Sequence, residues 1–405
     1  MYLLATGGNT QGTHDAAAQN GAVALLFAIG KCSTISQGSF FYLNEVTSAG
    51  SLAAFTQFFS PVTRTIGSPG SALGMQGLAN AFAMVPTLVD RTAGVARGLD
   101  YTGFSNTLPD TATLNTLADV QASCINSGAA SSGPCQTLFT NAVSPLPKAT
   151  SQPEVIFPKA TDTLQAQWYM FANPSDGDAG RLNSLYGLVA ASAPFQPTLA
   201  SQPTDWTVAL TTYTETQSGH VAEFDKPSQV NISPTGYPTF TLSGTHYSGW
   251  NQLSPSGEGN TGLFYKSGVA RHAAFDSRGD LWEAFAPLTD GSFLIMDTEF
   301  FPSVNAWTID QVYPFETASI MVPDGLGNLL WLTRSGTVRL MDAATILQAH
   351  QTGQYYDHRG TVVAMLGSQV KDALADVTGN LWVACAMGIC MSCRWPRGIR
   401  RWLRL

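Results

Sequence analysis

The spacing of hydrophobic residues changes once along the chain, near residue 205. Before that point apolar residues recur at steps of three and four, most clearly in Thr111–Ile125, where Leu114 and Leu117 begin a single stripe. After it, short runs rich in β-forming residues alternate with Gly, Pro, Asn and Asp. The pattern predicts a multidomain protein with an all-α helical domain at residues 10–200 and an all-β domain at residues 205–395.

The helical part divides into segments of ordinary length joined by loops rich in Gly, Ser and Pro. Asn44 and Thr161 are the expected N-caps of two helices, and Pro86 is expected to kink a third. Because each segment carries one apolar stripe, we expect these stripes to form a protein core rather than a cofactor pocket. The predicted helices are Ala16–Ile29, Glu45–Phe59, Leu78–Val89, Thr111–Ile125, Gln136–Ala142, Leu164–Ala172 and a last helix starting at Asp178.

The first nine residues predict a strand rather than a helix. The run from Tyr2 to Thr6 predicts a strand that ends in the turn Gly7-Gly8, but no nearby segment predicts a partner strand. A lone strand is not stable. It either docks elsewhere or, as we favour, residues 1–9 are the remnant of an upstream β domain, in which case a secretion signal is expected to be missing as well.

The all-β part contains a repeat. Three segments align on Asp-x-x-Gly-Asx-Leu-Trp, namely Ala274–Trp282, Val322–Trp331 and Leu374–Trp382, and Asn231–Tyr237 is a weaker copy. The turn glycines at 236, 279, 327 and 379 are 43, 48 and 52 positions apart. Self-similarity at about 40–50 residues is typical of propeller blades.

The chemistry of the repeat fits a tight turn between two strands. An Asp carboxylate can accept hydrogen bonds from backbone N–H groups of the turn, Gly supplies positive φ, and Trp offers a large apolar surface to bury between blades. We assign the repeated residues a structural role and disfavour the alternative of calcium ligands. They are Asp276, Gly279, Trp282, Asp324, Gly327, Trp331, Asp376, Gly379 and Trp382.

These units resemble the NHL-type blades of bacterial secreted propeller proteins, of the kind also found in streptogramin-lyase-like chains. Leu253–Gly257 (LSPSG) is similar to a segment that often separates such turns, and the helical region is similar to the domain that precedes the propeller in many of these proteins. The segments that carry this second similarity are Ala5–Asn9, Asn44–Thr47, Gly77–Phe82, Cys124 with Cys135, and Asp205–Thr207. The resemblance implies an NHL-like β-propeller after the helical domain. Four units with irregular spacing are fewer than the six or seven blades usual in such propellers, so we expect a partial propeller of about four blades.

Charged residues make up only 12% of the chain, about half of the usual ~25%. The net charge is −8, and only six residues are lysines, which disfavours a nucleic-acid partner because phosphate binding needs clustered Lys and Arg. The longest apolar run, Ala22–Ile29, is far shorter than the ~20 residues of a transmembrane helix. This composition favours an extracellular or cell-envelope protein.

Cysteines fall into two sets. Cys124 and Cys135 flank a short loop between two helices, and in an oxidising compartment a disulfide there would contribute about 2–3 kcal/mol; two free thiols are the alternative. Cys385, Cys390 and Cys393 form C-x4-C-x2-C, a pattern that can bind zinc or an iron–sulfur cluster. No fourth ligand with suitable spacing follows, so we predict no metal site.

The end of the chain differs from the rest. Residues 396–405 form an atypical basic tail that contains Arg397, Arg400, Arg401 and Arg404. A basic tail can bind membranes or nucleic acid. We favour a non-native end, because nothing upstream shares this composition.

For function, we expect a non-catalytic extracellular or cell-envelope scaffold that binds an unknown protein, peptide or glycan, with no cofactor and no catalytic residue. The alternative is a metal-dependent propeller enzyme of lyase or lactonase type, for which His272 and Glu283 are the candidate pair. A third possibility is a surface module without a ligand. The sequence contains no phosphate-binding loop, nucleophile elbow or H-E-x-x-H motif.

Overall fold

The computed structural model describes residues 1–9, 19–98, 107–145, 158–175, 177–190, 193–212, 224–244, 248–253, 259–264, 268–276, 278–287, 292–297, 308–313, 318–324, 326–352, 360–375, 380–386 and 388–394. The chain forms two compact units. Unit 1 comprises Met1–Tyr213 with Pro255–Glu258, and unit 2 comprises Thr214–Ser254 with Gly259–Leu405.

Six α-helices lie in the described part of unit 1, and each begins at a side chain that accepts a hydrogen bond from its first turn. The cap of the fifth helix is Asp162, not Thr161 as predicted, because the Asp162 carboxylate accepts a hydrogen bond from Gln165 N while the backbone N–H of Thr161 donates to the Gln165 side chain. Pro86 lies inside the second helix. The helices are α1 Glu45–Phe55, α2 Ala72–Leu88, α3 Thr111–Ile125, α4 Gly133–Asn141, α5 Thr163–Ala172 and α6 Ala179–Tyr186. Their N-caps are Asn44, Ser71, Asp110, Ser132, Asp162 and Asp178.

The predicted helix at Ala16–Ile29 was wrong. Its apolar part is the strand β2 (Ala24–Ala28), which pairs antiparallel with β1 (Tyr2–Thr6). The expectation that β1 has no partner in this chain was therefore also wrong. A continuous apolar run has the same pattern in a buried strand as in a buried helix, so periodicity alone could not separate the two.

The second edge of β2 is covered by helix side chains instead of another strand. A buried strand must satisfy its outward N–H groups, and here hydroxyl groups accept these hydrogen bonds. The bonds run from Leu26 N to Ser48 Oγ (3.1 Å), from Ala28 N to Ser51 Oγ (3.1 Å) and from Ala24 N to Thr163 Oγ1 (3.0 Å). Unit 1 is therefore not all-α, because its core contains a strand held between α1 and α5.

Three short pairs of strands complete unit 1. They are β3 Phe59–Ser60 with β4 Thr65–Ile66, β5 Val89–Asp90 with β6 Val95–Ala96, and β7 Thr107–Pro109 with β8 Leu210–Thr212. The turn of the first pair contains Arg64 at φ 57°. Its guanidinium donates to Asp162 Oδ2 at 2.7 Å, which ties this turn to the start of α5.

A disulfide joins α3 to α4. The Sγ atoms of Cys124 and Cys135 lie 2.00 Å apart, and both residues are fully buried. The Asn20 side chain donates to the carbonyl of Cys124 at 2.9 Å, so the end of α3 is capped beside the disulfide.

The core of unit 1 also buries a carboxyl group. Asp119 on α3 is only 2% exposed; its Oδ1 accepts a hydrogen bond from Phe195 N at 3.1 Å, and its Oδ2 has no hydrogen-bond partner among the described residues. Burial raises the pKa of Asp119 from its ordinary value of 3.8 to about 6, and the nearby Glu45 carboxylate adds to the rise.

We predict that Asp119→Asn flattens the pH dependence of stability. Because the pKa is raised on folding, the contribution of this group is fully present below pH ~4 and is lost as the pH rises through about 6. At pH 7.5 the variant should exceed the wild type by about 1–3 kcal/mol in its free energy of unfolding, measured by urea titration from pH 4.5 to 8. An unchanged difference between the two proteins across this range would contradict the assignment.

The described part of unit 2 consists of four consecutive antiparallel meanders. The first three have four strands each, the fourth has three described strands, and α7 (Ala343–Thr352) follows the third strand of the third meander. One backbone pair, Gly244 with Gly268, joins the first two meanders into an eight-stranded sheet. The strands are β9 Phe224–Ile232, β10 Pro238–Gly244, β11 Ser248–Leu253 and β12 Gly259–Phe264; β13 Gly268–Phe275, β14 Leu281–Pro287, β15 Ser292–Asp297 and β16 Thr308–Tyr313; β17 Ala318–Pro323, β18 Leu329–Thr333, β19 Thr337–Met341 and β20 Thr361–Met365; β21 Val370–Ala375, β22 Asn380–Cys385 and β23 Gly388–Arg394.

Every meander carries a β-bulge at the same place in its first strand. In each case one residue is skipped in the pairing with the second strand, and that residue stands eight positions before the turn glycine. The skipped residues are Ser228, Arg271, Ser319 and Lys371. The repeat is therefore longer than the turn motif that marks it in the sequence.

The second, third and fourth meanders pack face to face. One face of the third meander, including Met321 and Leu329, packs against Trp282 of the second meander. Its opposite face, including Leu330, packs against Leu381 of the fourth. In the third meander, β17 and β18 therefore bury apolar side chains on both faces. Successive residues of these strands contact the second and the fourth meander alternately.

Candidate functional site

The repeat turns are held by their aspartates. Asp276 is 3% exposed; its Oδ1 accepts hydrogen bonds from the backbone N–H groups of Arg278 (2.8 Å), Gly279 (3.1 Å) and Asp280 (3.1 Å), and its Oδ2 accepts one from Trp282 Nε1 at 2.9 Å. Both oxygens are therefore engaged inside the hairpin.

Asp324 repeats this arrangement in the third meander. Its Oδ1 accepts from the N–H groups of Leu326 (2.8 Å) and Asn328 (3.0 Å), and its Oδ2 accepts from the Asn328 side chain at 2.6 Å. In the weaker first copy Ser233 Oγ accepts from Tyr237 N at 3.0 Å. The turn glycines Gly236, Gly279 and Gly327 have φ of 84°, 95° and 91°, a region that favours Gly. Asp376 and Gly379 lie outside the described residues.

The three repeat tryptophans are not equivalent. Trp282 and Trp382 stand three residues after their turn glycines, whereas Trp331 stands four residues after Gly327, because an extra Leu precedes it. One residue moves a strand side chain to the opposite face. Trp331 therefore points back to the second meander, where it joins Trp282 in one cluster. Trp382 is 38% exposed, against 1% for Trp282.

The first strands of neighbouring meanders are connected by side-chain acceptors. Gln229 on β9 and His272 on β13 each stand seven residues before their turn glycine. Gln229 Oε1 accepts a hydrogen bond from Ala273 N of the next meander at 2.6 Å, and His272 Nδ1 accepts one from Met321 N at 3.2 Å. In both cases the side chain seven residues before the turn glycine accepts a hydrogen bond from a backbone N–H of the following meander. That N–H belongs to the residue six positions before its own turn glycine.

This contact defines the state of His272. A backbone N–H can only donate, so Nδ1 is the acceptor and the proton of the neutral ring lies on Nε2. Nε2 lies 3.4 Å from the Gln229 side-chain nitrogen, and because both nitrogens then carry protons, this contact is not a hydrogen bond. Burial lowers the pKa of His272 from its ordinary value, and the Asp372 carboxylate opposes this in part. The ring is therefore held neutral.

The third meander has no such acceptor. Ile320 occupies the position of Gln229 and His272, and an aliphatic side chain cannot accept a hydrogen bond. In the fourth meander Ala373 N instead donates to Asp372 Oδ1 at 2.8 Å. Hydrogen bonds of this kind therefore connect the first meander to the second and the second to the third, but not the third to the fourth.

The structure does not bring His272 and Glu283 together. Glu283 is paired with Ala273 and His272 with Ala284. Since directly opposite residues share a face and successive residues alternate, the two side chains lie on opposite faces of one sheet. Glu283 is completely buried.

No metal site can be described. Among the side chains that the structure places, no three His, Cys, Asp or Glu residues form a group that could hold a metal ion. Cys385 is disulfide-bonded, so its sulfur is not available as a metal ligand. The side chains of Cys390 and Cys393 lie outside the described part of the structure.

Sequence reasoning missed Gln229 as an acceptor between meanders, and it missed that Asp372 occupies the same repeat position. The signal was present in the offset of seven residues from the turn glycine, which places both in register with His272. It was not visible as a motif, because the position carries Gln, His, Ile and Asp in the four copies.

Comparison with known proteins gives only matches of low identity to solved structures. No family profile and no curated protein matches the chain. Among solved structures, a catalytically inactive virginiamycin B lyase from Staphylococcus aureus with quinupristin has a TM-score of 0.33 at 12% identity, over 49% of this chain and 60% of that one. A putative gluconolactonase has a TM-score of 0.32 at 11% identity, over 45% and 62%.

A third neighbour is PorZ, a bacterial surface component of the type-IX secretion system of Porphyromonas gingivalis, with a TM-score of 0.27 at 12% identity, over 40% of this chain and 25% of that one. The chain therefore covers less than two thirds of each of these proteins. In the described part of the chain, no helix is long and apolar enough to cross a membrane.

We predict that His272→Gln preserves the fold and reduces its acid sensitivity. Because folding lowers the pKa of this base, its contribution to stability is present above pH ~6.5 and is lost as the pH falls below that value. Gln supplies the same acceptor, as Gln229 shows, without a titrating group. The free energy of unfolding of the variant, measured from pH 7.5 to 5, should fall less than that of the wild type.

The matched control is His272→Leu, which removes the acceptor and leaves Met321 N without its bond. This variant should have a free energy of unfolding about 1–3 kcal/mol below that of the wild type at pH 7.5. Equal stability of the Gln and Leu variants would show that the hydrogen bond has no energetic role.

Proposed function

We propose that this chain is a non-catalytic binding scaffold of the extracellular space or cell envelope, built on a partial NHL-like β-propeller. The single observation that carries the proposal is the engagement of His272. The basic nitrogen that a catalytic imidazole would need accepts a backbone N–H from the next meander instead. A side chain used to connect two sheets supports a scaffold.

The propeller assignment is supported by how the meanders repeat. Four consecutive antiparallel meanders share a bulge position, the first three share the glycine turn, and the second, third and fourth pack face to face. Radial repetition of four-stranded sheets gives such packing, with each sheet contacting only its neighbours. Propellers carry many activities, so this assignment concerns the fold and leaves the ligand open.

The extracellular assignment is supported by two features. The disulfide between Cys124 and Cys135 is of a kind that persists in oxidising compartments. The low charge content of 12% is the second. The proposed ligand classes are a glycan, a peptide or another envelope protein, bound at the loops between strands.

The alternative is a metal-dependent lyase or lactonase, activities that the names of two structural neighbours carry. It would need His and carboxylate side chains that converge on one point. His272 and Glu283 lie on opposite faces of their sheet, which disfavours this pair.

Two measurements separate the proposals. Turnover of D-glucono-1,5-lactone and of quinupristin is followed with the full chain in Mg²⁺ and in EDTA. Binding is measured by sedimentation with purified peptidoglycan sacculi and with a panel of bacterial polysaccharides. The scaffold proposal predicts no turnover above the protein-free rate and saturable binding to at least one probe.

His272→Gln and Glu283→Gln are the matched variants. For a scaffold, His272→Gln leaves binding unchanged, because the acceptor is kept. Divalent-metal-dependent turnover that is lost in a folded His272→Gln variant would contradict the proposal and favour the enzyme.

A further inference from the structure

The repeat defines two faces on each meander. Residues three and five positions after the turn glycine lie on one face, here named the front face. Residues two and four positions after it lie on the other, named the back face. In the second meander the front face contains Trp282 and Ala284, and the third meander covers it with Leu329 and Trp331 of its back face.

The next interface repeats this arrangement. Leu330 and Leu332, on the front face of the third meander, are buried against Leu381 and Val383, on the back face of the fourth. In both interfaces, therefore, a front face is covered by the back face of the following meander.

The front face of the fourth meander remains exposed to solvent. Leu374 is 58% exposed and its cross-strand neighbour Trp382 is 38% exposed. Ala384 on the same face is also exposed. The equivalent residues of the second meander, Ala274 and Trp282, are 6% and 1% exposed.

The back face of the first meander is exposed as well. Val230 and Ile232 on β9 are 55% and 63% exposed, and Phe240 on the same face is half-buried. Val230 occupies the position of Met321, six residues before the turn glycine, and Met321 is 2% exposed against the second meander. Apolar side chains are thus exposed on the front face of the fourth meander, beside the exposed carboxylate of Asp372, and on the back face of the first meander.

We propose that the front face of the fourth meander, centred on Leu374, binds the back face of the first meander, centred on Val230, of a second copy of this chain. The contact reproduces between copies the front-to-back packing that the chain makes within itself. Because the two faces differ, the association is head-to-tail. This inference goes beyond the proposed function and does not depend on a ligand.

The test uses the full chain and three matched changes. Leu374→Glu alters the front face, Val230→Glu alters the back face, and Leu326→Glu is the control, because Leu326 is 60% exposed in the turn of the third meander and on neither end face. Circular dichroism and thermal melts establish that each variant folds. Mass is measured by sedimentation velocity from about 1 to 100 µM.

The wild type and Leu326→Glu should associate with rising concentration. Leu374→Glu and Val230→Glu should each associate at least tenfold more weakly. A mixture of these two variants should form a one-to-one complex, because each keeps the face that the other has lost.

Three outcomes would overturn the proposal. One is a wild type that is monomeric throughout. Another is Val230→Glu that associates like the wild type, which would indicate front-to-front pairing. The third is a mixture of the two variants in which no complex forms.

Discussion

The packing of one meander's front face against the back face of the next is the constraint on which unit 2 depends. It requires apolar residues on both faces of a sheet, and it fixes the register of every strand that takes part. Trp282 and Leu330 occupy the same repeat position, and both are buried against a following meander. The turn motif serves this packing by holding the strands that carry these residues.

The side-chain acceptors follow from the same constraint. The first strand of a meander is a sheet edge, and its outward N–H groups need partners when another sheet covers them. Gln229 and His272 supply these partners for the next meander. β2 in unit 1 meets the same need differently, since hydroxyl groups of Ser48 and Ser51 accept from its open edge. Both units thus bury strand edges by means of polar side chains rather than further strands.

The sequence could predict the features that depend on local chemistry. The caps Asn44 and Asp178, the span Thr111–Ile125 and the turn at Asp276 all rest on contacts within a few residues. Features that depend on distant partners were missed. The Ala24–Ala28 strand required knowledge of β1 and α1.

The tryptophan alignment shows the same limit inside the repeat. Matching Trp331 with Trp282 by motif placed them in equivalent positions, yet one additional residue turns Trp331 to the opposite face. The pairing of His272 with Glu283 failed for the same reason, since adjacency on neighbouring strands does not give a common face. Residue type alone could therefore suggest this pair, and the register of β13 and β14 places its two side chains on opposite faces.

Amide hydrogen exchange at Ala273 and Met321 tests the stacking of the meanders most directly. Both amides point away from their own sheet toward an acceptor of the preceding meander. Packing in this register predicts that they exchange as slowly as the amides of β18, which lies inside its sheet. Exchange at the rate of an open sheet edge would show that the meanders do not pack in this register.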